Sequence, residues 1–365
     1  MMNWGHVKPT FMIFTIGILL LALHPTTAQP SPFHIVWNSP WPTNCPYDYK
    51  KTVPTNAISK FNIGTNNNTA FNGHMVTTMY NNPDHMTLGK WPCVLKNGTE
   101  INGGVPQLGN LTLHLNQVRL DIVTQLPDPG FDGYAVIDWE VWVPSFEILQ
   151  LYAGYRTYYN RSMALANGNY TRASTTWNTH SMAFMVETLK VVQQLRPLAK
   201  LGYYGMVQCT FNHVTKQCDP KFTAVNDQWK ELWLASSALY PELYATCIFS
   251  GTPSACRKNA SLPIKIAARL SEAKRIQQLY TKSTATPYIG FTWYALDDGK
   301  CTKSVGHCPL VKNKHDMNAE FGLAKKGGAS GMIVWGSSGD VRNMDDCVGL
   351  GKYINDTLGP MLLNV

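Results

Sequence analysis

Short apolar segments alternate with longer amphipathic ones along nearly the whole chain, and this alternation constrains the fold more than any other feature. Phe33–Trp37, His74–Tyr80, Tyr134–Trp139, Leu201–Met206, Leu243–Phe249, Tyr288–Tyr294 and Gly331–Trp335 read as strands. Between them, Gln107–Leu126, Ser181–Leu195, Asp227–Leu239, Pro263–Tyr280 and His315–Lys325 read as helices. In Ser181–Leu195 the apolar Phe184, Met185, Leu189, Val192 and Leu195 share one face, and Pro197 follows as a stop. Apolar strands separated by helices build a parallel sheet that is covered on both faces. About seven such units suit an α/β fold closed into a distorted (β/α) barrel of the TIM type. An open nucleotide-binding sheet is disfavoured, because neither GxGxxG nor a P-loop occurs. A TIM-type barrel places its active site at the carboxyl ends of the strands.

The first 28 residues stand apart. Lys8 precedes the apolar run Phe11 to Leu23, which is too short to span a bilayer comfortably, and Thr26-Thr27-Ala28 offers a cleavage point. Residues 1–28 therefore read as a signal peptide and residues 29–365 as one catalytic domain, without stable membrane insertion. Sequons begin at Asn67, Asn97, Asn110, Asn160, Asn169, Asn259 and Asn355, as a glycoprotein in the secretory route would carry. Nine cysteines in that route imply disulfides with at least one thiol left over, and no CxxC pair suggests a thiolate metal site. With 44% hydrophobic and 15% charged residues the chain is not disordered. Its net charge of +8 agrees with a polyanionic ligand, although charge alone says little.

Several expected strand ends carry groups suited to chemistry: Tyr80, Asp138-Trp139-Glu140, Tyr204, Tyr244, Trp293 and Trp335. The strand Tyr134–Trp139 runs into two acids at spacing i, i+2. Side chains alternate along a strand, so both carboxyls point the same way, their α-carbons roughly 6.6 Å apart. Like charges that close raise the pKa of one of them, leaving an acid beside an ionised partner, as glycoside cleavage needs. Two acids at a strand end could instead cap the next helix or bind a metal, though no His lies nearby in sequence.

The run Ala135-Val136-Ile137-Asp138-Trp139-Glu140-Val141-Trp142-Val143-Pro144 resembles the signature of the hyaluronidases, glycoside hydrolase family 56. Val36-Trp37-Asn38 with Cys45, the segment Asn102 to Leu111, and Arg196-Pro197 with Gly202-Tyr203-Tyr204 and Cys209 are similar to further blocks of that family. So are Trp335-Gly336-Ser337-Ser338 with Asp340, Cys347 and Leu358-Gly359-Pro360. The layout is nearest to the insect venom and other invertebrate members, which lack the cysteine-rich module of vertebrate ones.

The resemblance implies a secreted, endo-acting hydrolase of β-1,4 N-acetylhexosaminide bonds in hyaluronan or chondroitin. Glu140 would be the general acid and Asp138 the group that holds the substrate's acetamide, whose oxygen attacks in place of a protein nucleophile. Tyr204 and Tyr244 would hold the acetamide and ring, Trp335 would wall the N-acetyl methyl, and Tyr80 would line the groove. It implies the disulfides Cys45–Cys347 and Cys209–Cys218. Spacing alone suggests Cys247–Cys256 and Cys301–Cys308, which leaves Cys93 unpaired. No cofactor, metal or nucleic acid is expected, a monomer is the expected state, and the destination is extracellular or lysosomal. Two positions depart from the family: Val143 stands where Arg is usual, and Asn81 where related enzymes often have Asp. Both bear on substrate preference. The alternative from another class is a secreted glycan-binding protein on the same barrel with turnover weakened or lost. A chitin-cutting barrel would need the longer motif DxxDxDxE, which is absent.

Overall fold

The structure is a computed structural model that describes residues 33–39, 58, 60–244, 262–294, 318–337, 340, 343–363 and 365. The expected leader and Cys45, Cys247, Cys256, Asn259, Cys301 and Cys308 lie outside the described residues. Six strands carry the architecture: β1 His34–Asn38, β2 Val76–Asn82, β3 Tyr134–Trp139, β4 Lys200–Tyr203, β5 Ile289–Trp293 and β6 Gly331–Trp335. All pair in parallel, β1 with β6 and β6 with β5 on one arc, β2 with β3 and β3 with β4 on the other.

Two seams join the arcs. At the first, Leu239–Glu242 stands between β4 and β5 through the parallel bridges Tyr204↔Tyr240, Leu239↔Tyr288 and Glu242↔Phe291. This is the seventh strand position of the barrel; residues 245–249 of the expected strand Leu243–Phe249 lie outside the described residues. The expected helix Asp227–Leu239 accordingly stops early, as two short helices ending at Ala235. Pro241 explains the misreading: it lacks an N–H, so the segment makes separate bridges rather than a continuous ladder. Its carbonyl still accepts from Phe291 N at 2.9 Å.

At the second seam side chains replace backbone. Gly64–Thr65 pairs with β1, and the buried Asn66 then reaches across to β2. Its Oδ1 accepts from Met75 N and Val76 N at 2.9 and 3.1 Å, and its Nδ2 donates to Val76 O at 2.8 Å. Thr78 Oγ1 donates to Asn38 Oδ1 at 3.0 Å across the same gap. Buried backbone groups need partners, and one amide side chain supplies three of them here.

Strand alternation sorts the core. Val36, Val76, Tyr134, Val136, Tyr204, Ala238, Tyr240, Ile289, Phe291 and Ile333 pack together inside the barrel. Met79, Ala135, Ile137, Trp139 and Leu201 face outward into the layer beneath the helices. Those helices are α1 Leu111–Gln125, α2 Phe146–Leu151, α3 Arg156–Leu165, α4 Tyr170–Leu195, α5 Pro220–Gln228, α6 Lys230–Ala235, α7 Leu262–Tyr280 and α8 Met344–Tyr353. Asn110 and Asn169 cap α1 and α4, each accepting from a backbone N–H at 2.9 Å. Both are sequon asparagines, and Asn67, Asn97, Asn110, Asn160, Asn169 and Asn355 are all exposed. The disulfide Cys209–Cys218 is formed; Cys347 in α8 is disulfide-bonded, and its expected partner Cys45 lies outside the described residues. Cys93 is free and buried.

Candidate active site

The inward register of each strand, continued past the packed interior, arrives at the candidate residues. Tyr134 and Val136 point inward, so Asp138 and then Glu140 follow at the mouth. Val76 leads to Tyr80, Ile333 to Trp335, and Phe291 to Trp293 by the same rule. Tyr204 and Tyr240 extend to Glu242 and Tyr244 at the first seam. Tyr80 and Asp138 are register partners across β2 and β3.

These side chains touch. The Trp335 indole N–H donates to the Tyr80 phenol oxygen at 2.5 Å. Tyr244 stacks on Trp335 with ring centres 6.2 Å apart and planes 18° apart. Trp293 meets Trp335 edge-on at 5.3 Å, and Tyr204 lies 6.2 Å from Tyr244. The aromatic rings form an enclosure around the position to which Asp138 points, a surface suited to the apolar faces of a sugar and of an acetamide methyl.

Electrostatics separate the groups further. Burial, and secondly the charge of Glu140, holds the Asp138 carboxyl well above the usual carboxylate range. Glu140 is raised as well, first by burial and then by the charge of Glu242. Its side chain opens to solvent at the cavity while protein mass surrounds its base, which is why it is both accessible and desolvated. Burial also raises the Tyr80 phenol, helped by Asp138, and the Tyr204 phenol, helped by Glu242. These phenols stay protonated and act as hydrogen-bond donors.

The loop after Glu140 is held by indoles. Trp142 Nε1 donates to Pro92 O at 2.7 Å, Trp177 Nε1 to Val143 O at 3.0 Å, and Trp229 Nε1 to Pro144 O at 3.0 Å. Trp139, facing outward, stacks on Trp91 at 4.8 Å. The strand end that carries both acids is therefore fixed from behind.

All six residues expected to act at the site converge: Tyr80, Asp138, Glu140, Tyr204, Tyr244 and Trp335. Val143 lines the cavity beside Glu140. Asn81 does not: it faces outward, donating to Met79 O and accepting from Thr87 N and Leu88 N at 3.0, 3.1 and 2.8 Å. It holds a turn, and its effect on substrate preference can be indirect only. Sequence reasoning missed Glu242 and Arg269. Tyr204 Oη donates to Glu242 Oε2 at 3.3 Å, and Arg269 Nη1 donates to Glu242 O at 2.6 Å and Oε1 at 3.3 Å. Glu242 sits two residues before Tyr244 in the same register, a signal missed because the expected strand began only at Leu243. Arg269 comes from α7, and no local pattern marks it. Among the described residues no group of three or more His, Cys, Asp or Glu side chains is placed to hold a metal ion.

A parallel barrel with two neighbouring carboxyls and an aromatic enclosure at its strand ends defines the class: a barrel glycoside hydrolase. The family follows from comparison with known proteins. A family model described as Hyaluronidase matches residues 22–365. A hyaluronidase of the wasp Polistes annularis is 30% identical over 91% of this chain and 87% of its own. The honeybee Apis mellifera hyaluronidase is 29% identical over 97% of this chain and 91% of its own. The crystal structure of bee venom hyaluronidase in complex with hyaluronic acid tetramer superposes with a TM-score of 0.75 at 28% identity, covering 92% of this chain and 99% of that one. The chain belongs to the hyaluronidase family, and it is a hyaluronidase-type glycoside hydrolase.

Proposed function

We propose that this protein is a secreted enzyme that cuts β-1,4 N-acetylhexosaminide bonds inside hyaluronan or chondroitin chains, with retention of configuration. The observation that carries the reading is the inward pair Asp138 and Glu140, facing the enclosure of Tyr80, Tyr244 and Trp335. The bee venom relative crystallised with a hyaluronic acid tetramer supports the substrate class. The exposed sequons and the apolar leader-like run in the sequence support secretion, and among the described residues no helix is long and apolar enough to cross a membrane.

In this mechanism Glu140 gives its proton to the glycosidic oxygen as the bond from that oxygen to the anomeric carbon breaks. The substrate's own acetamide oxygen forms a bond to the anomeric carbon from the opposite face. Asp138 accepts the acetamide N–H and balances the positive charge of the cyclised intermediate. Glu140, now ionised, takes a proton from water as that water opens the ring. The double inversion leaves the β configuration. Substrate assistance of this kind departs from the usual two-carboxylate scheme, in which the second acid is the nucleophile. Raised pKa values suit both roles: Glu140 must hold a proton near neutral pH, and Asp138 sits where a developing cation lowers the cost of its charge.

The test is incubation of purified protein with hyaluronan, chondroitin and chondroitin sulfates, with sizing of products over time. Even-numbered oligosaccharides appearing early, together with a rapid fall in polymer size, are expected. Binding without any cleavage of the three polymers would leave the glycan-binding alternative standing.

A further inference from the structure

Glu140 borders a second space. A cavity of about 460 Å³ opens on the side of the mouth formed by the end of β3, the end of β4 and the first seam. That volume is in the range of small-ligand sites, about 300–1,000 Å³. Glu140 lines it together with Val143, Tyr152, Tyr155, Tyr204 and Arg269. Tyr80 on β2 lies on the opposite side of β3 from β4, and Trp293 on β5 and Trp335 on β6 belong to the other arc. The proposed acid therefore stands between two chambers. A group that protonates a bridging oxygen must sit between the two sugars that oxygen joins. If the aromatic enclosure takes the N-acetylhexosamine, the next ring enters this cavity.

We propose that this cavity holds the sugar ring on the leaving side of the scissile bond, and that Tyr152 and Tyr155 bind that ring by stacking. The inference rests on the hydrolytic reading above and deepens it. Both tyrosines lie in the connection between α2 and α3, with ring centres 6.1 Å apart and planes at 74°, so they form a corner rather than a flat wall. Tyr152 is 44% exposed, and among the described contacts neither phenol makes a hydrogen bond that would explain its place. Tyr155 and Glu140 line the same cavity, and the Tyr155 hydroxyl is pushed up to about 12 by burial and then by the charge of Glu140. The corner follows α2, which starts at Phe146 directly after the loop pinned by Trp142, Trp177 and Trp229.

Charge is muted in this cavity. Arg269 is already engaged by Glu242, and its Nη2 donates to Cys209 O at 3.2 Å. Val143 and Ile148 add apolar surface. A ring held here is recognised mainly by its faces, so a glucuronate and its neutral counterpart should both be accepted.

The experiment compares two substrates on the wild type, Tyr152→Ala and Tyr155→Leu. One is a hyaluronan hexasaccharide, which places sugar on both sides of Glu140. The other is a β-fluoride of the glucuronyl N-acetylglucosamine disaccharide, whose leaving group is fluoride and which leaves the cavity empty. The ratio of kcat/KM for hexasaccharide to that for fluoride should fall about fivefold to tenfold in each variant, the size of a lost aromatic contact. A ratio equal to the wild type, or an equal fall on both substrates, overturns the proposal. If the wild type turns over neither substrate, the hydrolytic reading fails by itself. The subsite is then judged by calorimetry with the same hexasaccharide, where Tyr152→Ala must weaken binding about fivefold. Unchanged binding there overturns it.

Discussion

His114 should make the fold lose stability as the medium turns acid, by an amount the structure sets. The residue is on α1 and fully buried, with Trp91 at 4.6 Å and Phe184 at 5.2 Å between ring centres. Its Nε2 lies 2.8 Å from Thr188 Oγ1, whose own proton goes to Phe184 O at 2.6 Å. The Thr188 oxygen is therefore free to accept, so the Nε2–H donates and the ring is neutral. Burial lowers the pKa to about 4, with the Lys90 backbone opposing it to a smaller extent, and the buried Nδ1 of the neutral ring makes no hydrogen bond among the described residues. The unfolded chain titrates at about 6.5. A depressed base is disfavoured from protonating in the fold, so its contribution is complete above pH 6.5, declines below it, and is fully lost below about pH 4. The gap, at about 1.36 kcal/mol per pH unit, is about 3 kcal/mol.

Asp138 and Glu140 act with the opposite sign, because their raised values let the fold take up protons earlier than the unfolded chain does. Acidification relieves that part, so the wild-type slope alone understates the histidine. His114→Gln removes the ambiguity: it keeps an N–H donor towards Thr188 and does not titrate. Urea unfolding followed by tryptophan fluorescence at pH 7.5, 5.5 and 4.0 gives the two stability curves. The variant should be the less stable at pH 7.5, having lost ring contacts, and the difference should shrink by about 3 kcal/mol towards pH 4. Parallel curves across the whole range would refute the reasoning. The effect reaches the site, because Trp91, which packs on His114, also stacks on Trp139 between the two acids.

Glu140→Gln should lose at least about 100-fold in turnover while its unfolding curve stays near that of the wild type; a steady-state assay on polymer checks it. Asn66→Ala leaves the Met75 and Val76 N–H groups without their acceptor and the Ala70, Phe71 and Val76 carbonyls without the Nδ2 donor, although Val76 O keeps Gly73 N–H; it should cost about 3 kcal/mol, read by urea unfolding, with Asn66→Asp rescuing only in part because it accepts but cannot donate. De-N-acetylated oligosaccharides should be bound weakly and barely cut, since the attacking oxygen is gone, and a thiazoline shaped like the cyclised acetamide should inhibit; ready cleavage of the amine substrate, followed by NMR, would contradict the roles given to Asp138 and Glu140.

Much of the site was legible because one rule generates it. A parallel strand buried on both faces shows its phase only at its end, where polar or aromatic groups replace aliphatic ones. Tyr134-Ala135-Val136-Ile137-Asp138-Trp139-Glu140 shows this directly: the odd residues Ala135, Ile137 and Trp139 face the helices, and the even ones face the barrel interior and then its mouth. The rule worked for Tyr80, Tyr204 and Trp335, whose strands were placed nearly in register. It failed at Pro241, where a strand position without a continuous ladder looks like the end of a helix followed by a loop. Starting the expected strand only at Leu243 left Glu242 outside it, although Glu242 precedes Tyr244 by one inward step.

What the sequence could not carry was contact between elements far apart in the chain. Arg269 on α7 reaches Glu242 and the Cys209 carbonyl only because the barrel brings those elements together. The tyrosine corner at Tyr152 and Tyr155 has no periodicity, being a short connection between α2 and α3. The acetamide chamber lies along the inward register of the strands, and the leaving-side chamber is built from loops and helix ends. A chain of this kind can therefore keep the first chamber recognisable while its second diverges. Val143 belongs to that second chamber, so the departure from the family at this position bears on the ring next to the cleaved bond and leaves the acids themselves untouched.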